Sequence, residues 1–190
     1  MTLNGVRTSA IATGQPRGTK QTESGMGTSL KESMHLVSDP KHLDESVEEV
    51  FQMMLGAQCQ RETDVEAAGA VPASGSVTAV IGFGGLLSGA CVFRCETEAA
   101  MKIAALMTGM EFSEVDDTVK DGIGEICNMV AGAWKGKVPG LAAGCGLSVP
   151  AVITGNDYKL RVQAPQFQLE HRYGMGDEHF TVTIVCDGIQ

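Results

Sequence analysis

The sequence predicts an α+β fold, a mostly antiparallel β-sheet with two long helices and one shorter helix packed on it. Three observations carry this expectation. Segments of helical and of strand periodicity fall in separate blocks along the chain, which argues against a doubly wound parallel sheet. Residues 76–83 and 86–95 have strand character and are joined by Gly84-Gly85, the pattern of a tight antiparallel hairpin. Finally, one short helical phrase is written twice: Glu49-Val50-Phe51-Gln52-Met53-Met54-Leu55-Gly56 returns as Glu125-Ile126-Cys127-Asn128-Met129-Val130-Ala131-Gly132. In each, a carboxylate precedes a side-chain amide by three residues, a methionine follows the amide, and a glycine closes the run, so a helix is duplicated.

Taken in order, residues 1–33 are rich in Gly, Ser, Thr and Lys and lack apolar periodicity. They predict a flexible leader ahead of a single domain over 34–190, with Met26 and Met34 as alternative starts. Asp39-Pro40 reads as a break, after which Leu43, Val47, Val50 and Met54 predict a first long helix over roughly 43–59. Residues 65–71 form a weak strand candidate ended by Pro72. Beyond the hairpin, Ala99, Ala100, Ile103, Ala104 and Met107 predict a shorter helix over 97–107, closed by Gly109. Ser113-Glu114-Val115-Asp116 has the form of a capping box and opens a third helix to about Gly136, ended by Pro139, Gly140 and Gly144. Residues 146–153, 158–163, 166–172 and 179–186 alternate as strands, with Gly155-Asn156-Asp157 and Gly174-Met175-Gly176-Asp177 as turns.

Composition narrows the function classes. With 14 basic against 23 acidic side chains the net charge is −9 and no basic cluster offsets it, which disfavours nucleic acid and anionic membrane as partners. The longest mostly apolar runs, 77–83 and 90–93, fall far short of the ~20 residues of a membrane helix. Residues 1–18 hold no continuous apolar core of a signal peptide, so a cytoplasmic location is expected. Six cysteines occur without a C-x-x-C pair, and no histidine spacing completes a ligand set, so they are expected as buried free thiols packing as small hydrophobes. His171 and His179 read as ordinary strand residues and Trp134 as a packing anchor. The methionines, including those after the two amides, read as packing residues.

The third helix carries the chemistry. At about 100° per residue, Val115, Val119, Ile123, Ile126 and Val130 share one stripe centred about 120° from Glu125, while Asp121, Glu125, Asn128 and Gly132 share another. If the apolar stripe faces the sheet, the polar set meets solvent. Glycines at 122, 124 and 132 each cost roughly 1 kcal/mol of helix stability relative to alanine, which implies a need for close approach and a low-walled surface suited to lying across another protein. A lone Glu-x-x-Asn is ordinarily a solvated face; duplication, Asp121 and the glycines set this one apart. The first copy places Glu45, Glu49 and Gln52 at the corresponding positions.

These residues resemble the CheX branch of the CheC/CheX/FliY family of chemotaxis response-regulator phosphatases. The resemblance rests on Val77-Thr78-Ala79-Val80-Ile81-Gly82-Phe83-Gly84-Gly85, Leu87-Ser88-Gly89, Thr97-Glu98-Ala99-Ala100-Met101-Lys102, Met107-Thr108-Gly109-Met110-Glu111-Phe112 and Ser148-Val149-Pro150-Ala151-Val152-Ile153-Thr154-Gly155. Above all it rests on Asp121-x-x-x-Glu125-x-x-Asn128, and it covers roughly 43–187. It implies a pseudo-duplicated fold and hydrolysis of the phospho-aspartate of a CheY-type response regulator. Glu125 would pair with the regulator's lysine, Asn128 would orient the attacking water, and Asp121 and Gly132 would lie in the contact. It further implies that this chain needs no cofactor, magnesium being supplied by the regulator, and that the protein is a homodimer. Gln52 is one methylene longer than asparagine, and a displacement of ~1 Å at a reacting centre can cost ~10²-fold. The first copy, Glu45, Glu49 and Gln52, is therefore expected to be degenerate. The rival reading is a non-catalytic module of the same fold, as in the middle domain of the flagellar switch protein FliM.

Overall fold

The structure, a computed structural model, describes residues 34–63, 75–155, 158 and 165–189. In chain order its elements are α1 (Met34–Val37), α2 (Pro40–Leu55), β1 (Gln60–Arg61), β2 (Ser76–Gly85), β3 (Leu87–Glu96), α3 (Thr97–Thr108), α4 (Asp117–Lys137), α5 (Leu141–Gly144), β4 (Cys145–Leu147), β5 (Ala151–Gly155), β6 (Phe167–Met175) and β7 (Glu178–Ile189). Seven strands form one sheet in the order β1-β6-β7-β3-β2, with β4 and β5 both beside β2, and every pairing is antiparallel. The predicted α+β class is the observed one. Among the described residues no helix is long and apolar enough to cross a membrane.

Several boundaries differ from the sequence expectation, each for a local reason. Asp39-Pro40 does not break the chain but starts α2, three residues earlier than expected. Proline has no N–H to lose at the first helical position, and the Asp39 carboxylate accepts from Lys41 N at 3.0 Å. The helix ends at Leu55 rather than 59 because Gly56 takes a left-handed cap. The Gly84-Gly85 pair is not the hairpin turn: both glycines continue β2 and pair with β4, and the chain reverses around Leu86. Gly85 is required there by its φ of 111° and because a Cβ would collide with the Gly144 carbonyl oxygen. The capping box at 113–116 is displaced as well, since Asp116 itself is the N-cap and accepts from Val119 N at 2.9 Å.

The strand expected over 146–153 is two strands. Ile81 and Gly82 of β2 face Ser148, Val149 and Pro150, one residue more, and Pro150 has no N–H for the ladder. Ser148 repairs the gap: its Oγ accepts from Gly82 N at 2.9 Å and donates to Val149 O at 2.8 Å. The short β1 was not anticipated. The leader over 1–33, the strand at 65–71 and all but Tyr158 of the strand at 158–163 lie outside the described residues.

The two halves exchange helices. Helix α2 precedes the β2–β3 hairpin yet seats Phe51 on Phe180 of β7, with ring centroids 4.4 Å apart. Helix α4 precedes the β6–β7 hairpin yet packs on β2 and β3, its Cys127 thiol lying 3.7 Å from Ala79 O and 3.8 Å from Cys91 O. Phe180 also stacks on Phe93 at 5.0 Å and Tyr173 at 5.3 Å, so one ring joins three elements. Trp134 is buried against Phe83 at 5.3 Å, the packing anchor expected of it. The methionines divide: Met175 is buried and Met129 half-buried on the core, whereas Met53 is 65% exposed, so the packing role expected after the first amide is wrong.

His171 is more than an ordinary strand residue. It is buried, and its Nδ1 lies 2.7 Å from the Asp44 carboxylate, which also accepts from Tyr173 Oη at 2.8 Å and from Arg61 at 3.2 Å. Burial, reinforced by Asp44, raises the Tyr173 phenol far above its ordinary range, so it remains a donor. His179, exposed, pairs with Glu62 at 2.6 Å. These contacts fasten α2 and the segment after it to the far edge of the sheet.

Two predictions follow from this packing. Removing one acceptor strands two buried donors, at ~1–3 kcal/mol each, so Asp44→Ala is expected to lower unfolding free energy by about 3 kcal/mol in urea denaturation; a loss below about 0.5 kcal/mol would contradict the network. All six cysteines are buried and unpaired. Burial pushes Cys59 up to about 12 and raises Cys95, Cys145 and Cys186, while a hydrogen bond with Cys127 followed by burial raises Cys91. Thiolate is the reactive form, so a disulfide reagent at pH 8 is expected to leave these thiols largely unmodified until denaturant is added.

Candidate functional site

Helix α4 is oriented by its own buried residues. Val119, Ile123, Gly124, Ile126, Cys127, Val130, Ala131 and Trp134 face inward. At 100° per residue this arc is centred about 180° from Glu125, wider and more nearly opposite than the stripe expected from the branched residues alone. Val115 lies before the helix and is only half-buried. Because α4 rests on β2, β3 and β5 with α2 and α3 against it, the ridge opposite the arc points away from the sheet. On that ridge Asp121 and Glu125 are exposed, and Asn128 and Gly132 are half-buried.

The flanks of the ridge explain the glycines, and correct one expectation. A Cβ on Gly124 would sit 3.3 Å from Pro150 Cβ and Cγ and 3.4 Å from Val152 Cγ2, and one on Gly122 would sit 3.5 Å from Met107 Sδ and 3.7 Å from Ala104 Cβ. Gly122 and Gly124 therefore admit the chain's own α3 and β5 rather than a visitor. Of the three, Gly132 alone behaves as a low wall, for among the described residues nothing lies within 4 Å of the Cβ it lacks. Glu125 and Asn128 thus stand between α3 on one side and the β4–β5 break on the other.

The two motif copies differ in electrostatic state. Among the described residues, no side-chain hydrogen bond or ion pair engages Glu125 or Asn128. Asp121 exerts only a minor pull on Lys120, whose ammonium is held above its usual range chiefly by a 2.9 Å bond to Asp117. On α2, Glu45, Glu49 and Gln52 are exposed, as a helix face requires. Their acids are occupied, however: Lys137 Nζ lies 2.9 Å from Glu49 Oε2 and 3.9 Å from Glu45 Oε2, and Lys41 Nζ lies 3.5 Å from Glu45 Oε1.

Lys137 is the residue that sequence reasoning missed. Its place in the last turn of α4 suits the negative end of the helix dipole, but no local pattern connects it with an acid in another helix. A half-buried carboxamide beside an exposed carboxylate, both without intramolecular partners among the described residues, can accept a cation and position a water molecule on a partner's surface. Among the described residues no three His, Cys, Asp or Glu side chains are grouped as a metal ion would need.

Comparison with known proteins gives concordant results. The family model for chemotaxis phosphatase CheX matches residues 77–171, half of the chain, including the whole Asp-x-x-x-Glu-x-x-Asn motif. A curated relative from Thermotoga maritima, described as the CheY-P phosphatase CheX, is 33% identical over 87 residues; the match covers 45% of this chain and 56% of that protein, little more than half its length. The chemotaxis protein CheX from Vibrio vulnificus has the same fold at a TM-score of 0.65 and 19% identity, with 79% of this chain and 97% of that one covered. A structure of the CheX–CheY–BeF3–Mg2+ complex from Borrelia burgdorferi matches at a TM-score of 0.63 and 17% identity, with 80% of this chain and 99% of that one covered.

One position on the ridge yields a direct check of its openness. Because the space beside Gly132 is empty and alanine favours helix over glycine by ~0.8–1 kcal/mol, Gly132→Ala is expected to stabilise the fold by about 0.5–1 kcal/mol in thermal or urea unfolding. Destabilisation would mean that the surface is covered.

Proposed function

Because the chain belongs to the CheX chemotaxis phosphatase family, we propose that it hydrolyses the phospho-aspartate of a CheY-type response regulator, using Asn128 and Glu125 of α4. The observation that carries this reading is the outward placement of that exposed acid and half-buried amide on a rigid helix, with no intramolecular partner among the described residues. The relative from Thermotoga maritima supports it as a CheY-P phosphatase, and the Borrelia burgdorferi complex supports a receiver domain as partner.

In this reading α4 lies across the receiver's phosphorylated site. The Glu125 carboxylate pairs with a lysine beside the phosphoryl group and holds the two proteins in register. The Asn128 carboxamide, which both donates and accepts, holds one water molecule in line with phosphorus. Attack by the water oxygen breaks the bond between phosphorus and the aspartyl oxygen, regenerating the receiver's carboxylate and releasing dihydrogen phosphate, which takes both water protons. Phosphoryl transfer asks for positioning and charge stabilisation more than covalent help, and two fixed side chains supply the positioning. We assign the magnesium ion to the receiver. Asp121 and Gly132 border the contact, the first as a second acid and the second as a low point on the ridge.

The test is phosphate release from a phosphorylated receiver domain. Asn128→Ala is expected to lower turnover on the order of 10²-fold or more, the usual cost of one key polar group in a preorganised site, with the fold intact because Asn128 is not in the core. Unchanged turnover would defeat this assignment and favour the non-catalytic binding module.

A further inference from the structure

We infer that Lys137 closes the first motif copy to a second receiver by occupying, from within the chain, the place of the partner's cation. This rests on the proposed docking of a receiver through an acid on the motif helix. The two copies present the same residue classes at the same spacing, yet in opposite states. The motif acids of α4, Asp121 and Glu125, are open, with no ion pair among the described residues. Those of α2 hold two lysines between them: Glu49 is bridged to Lys137 at 2.9 Å, and Glu45 lies between Lys137 at 3.9 Å and Lys41 at 3.5 Å.

The lysine is placed to persist there. Lys137 ends α4, so its backbone is fixed by a helix with eight buried residues, and its side chain is only 26% exposed against 49% for Glu49. An incoming lysine must displace one that is already local, and must also approach a surface whose negative charge has been reduced at Glu45 and Glu49. An ion pair of this exposure contributes up to ~1 kcal/mol, a factor of about five in affinity. Gln52 adds a separate obstacle to chemistry, so the closure acts on docking and the glutamine on turnover. Two equivalent faces would otherwise draw two receivers to one chain, one of them unproductively.

The experiment is a binding titration with a receiver domain activated by beryllofluoride and magnesium. Glu125→Arg is expected to abolish docking at α4. Adding Lys137→Ala to that variant is expected to raise affinity for the receiver by up to about fivefold, and adding Glu49→Ala as well is expected to remove the gain. Lys137→Gln, which keeps the length and removes the charge, should reproduce the effect, and thermal unfolding of each variant verifies its fold. No gain on replacing Lys137, or a gain that survives Glu49→Ala, overturns the inference while leaving the α4 assignment standing. Wild-type affinity in Glu125→Arg overturns the docking assignment itself, and with it the premise of this proposal.

Discussion

The seating of α4 is the constraint on which the rest of the molecule depends. Eight residues from Val119 to Trp134, among them Gly124, which lets the backbone approach Pro150 and Val152, turn one half of the helix inward. The opposite half has no freedom to do anything but face out. Glu125 and Asn128 owe their exposure and their rigidity to residues that never touch a partner, and Asp116 at the cap fixes where the helix begins. A site built on such an element loses little entropy on contact, which is the advantage of placing positioning groups on a helix rather than a loop.

Much of this arrangement was legible in the sequence, and the exceptions have physical causes. Helix α3 reads cleanly because its apolar spacing is regular and Gly109 closes it. The direction of the α4 ridge reads well for the same reason, although the inward arc was placed too far to one side by counting only branched residues; Gly124, Cys127 and Ala131 also face inward and carry little periodic signal. Pro40 was misread because proline signals both a break and a helix start, and what decides between them is the Asp39 cap before it. The division between β4 and β5 was hidden because Ser148 imitates a ladder bond with its hydroxyl. Contacts between distant segments are beyond any local pattern: Asp44 with His171 and Tyr173, and Lys137 with Glu49, are separated by most of the domain.

The duplicated helices show how a repeated phrase diverges. Both copies retain the acid and the amide on the outward ridge, Gln52 exposed and Asn128 half-buried, so the helix geometry that displays them has been kept. What differs is the surroundings: one copy looks onto open space, the other onto a lysine of its own chain. The distinction lies in tertiary structure and cannot be found by comparing the two phrases alone.

The exchange of helices between the halves has a consequence for how the chain is assembled. Phe51, near the beginning of the domain, finds its stacking partner in Phe180, close to the end, and Asp44 finds His171 and Tyr173 in the strand just before it. During synthesis the first helix therefore meets α3 and α4 before the part of its apolar face around Phe51 gains its last cover from β7. Neither half closes its core alone, because each borrows a helix from the other.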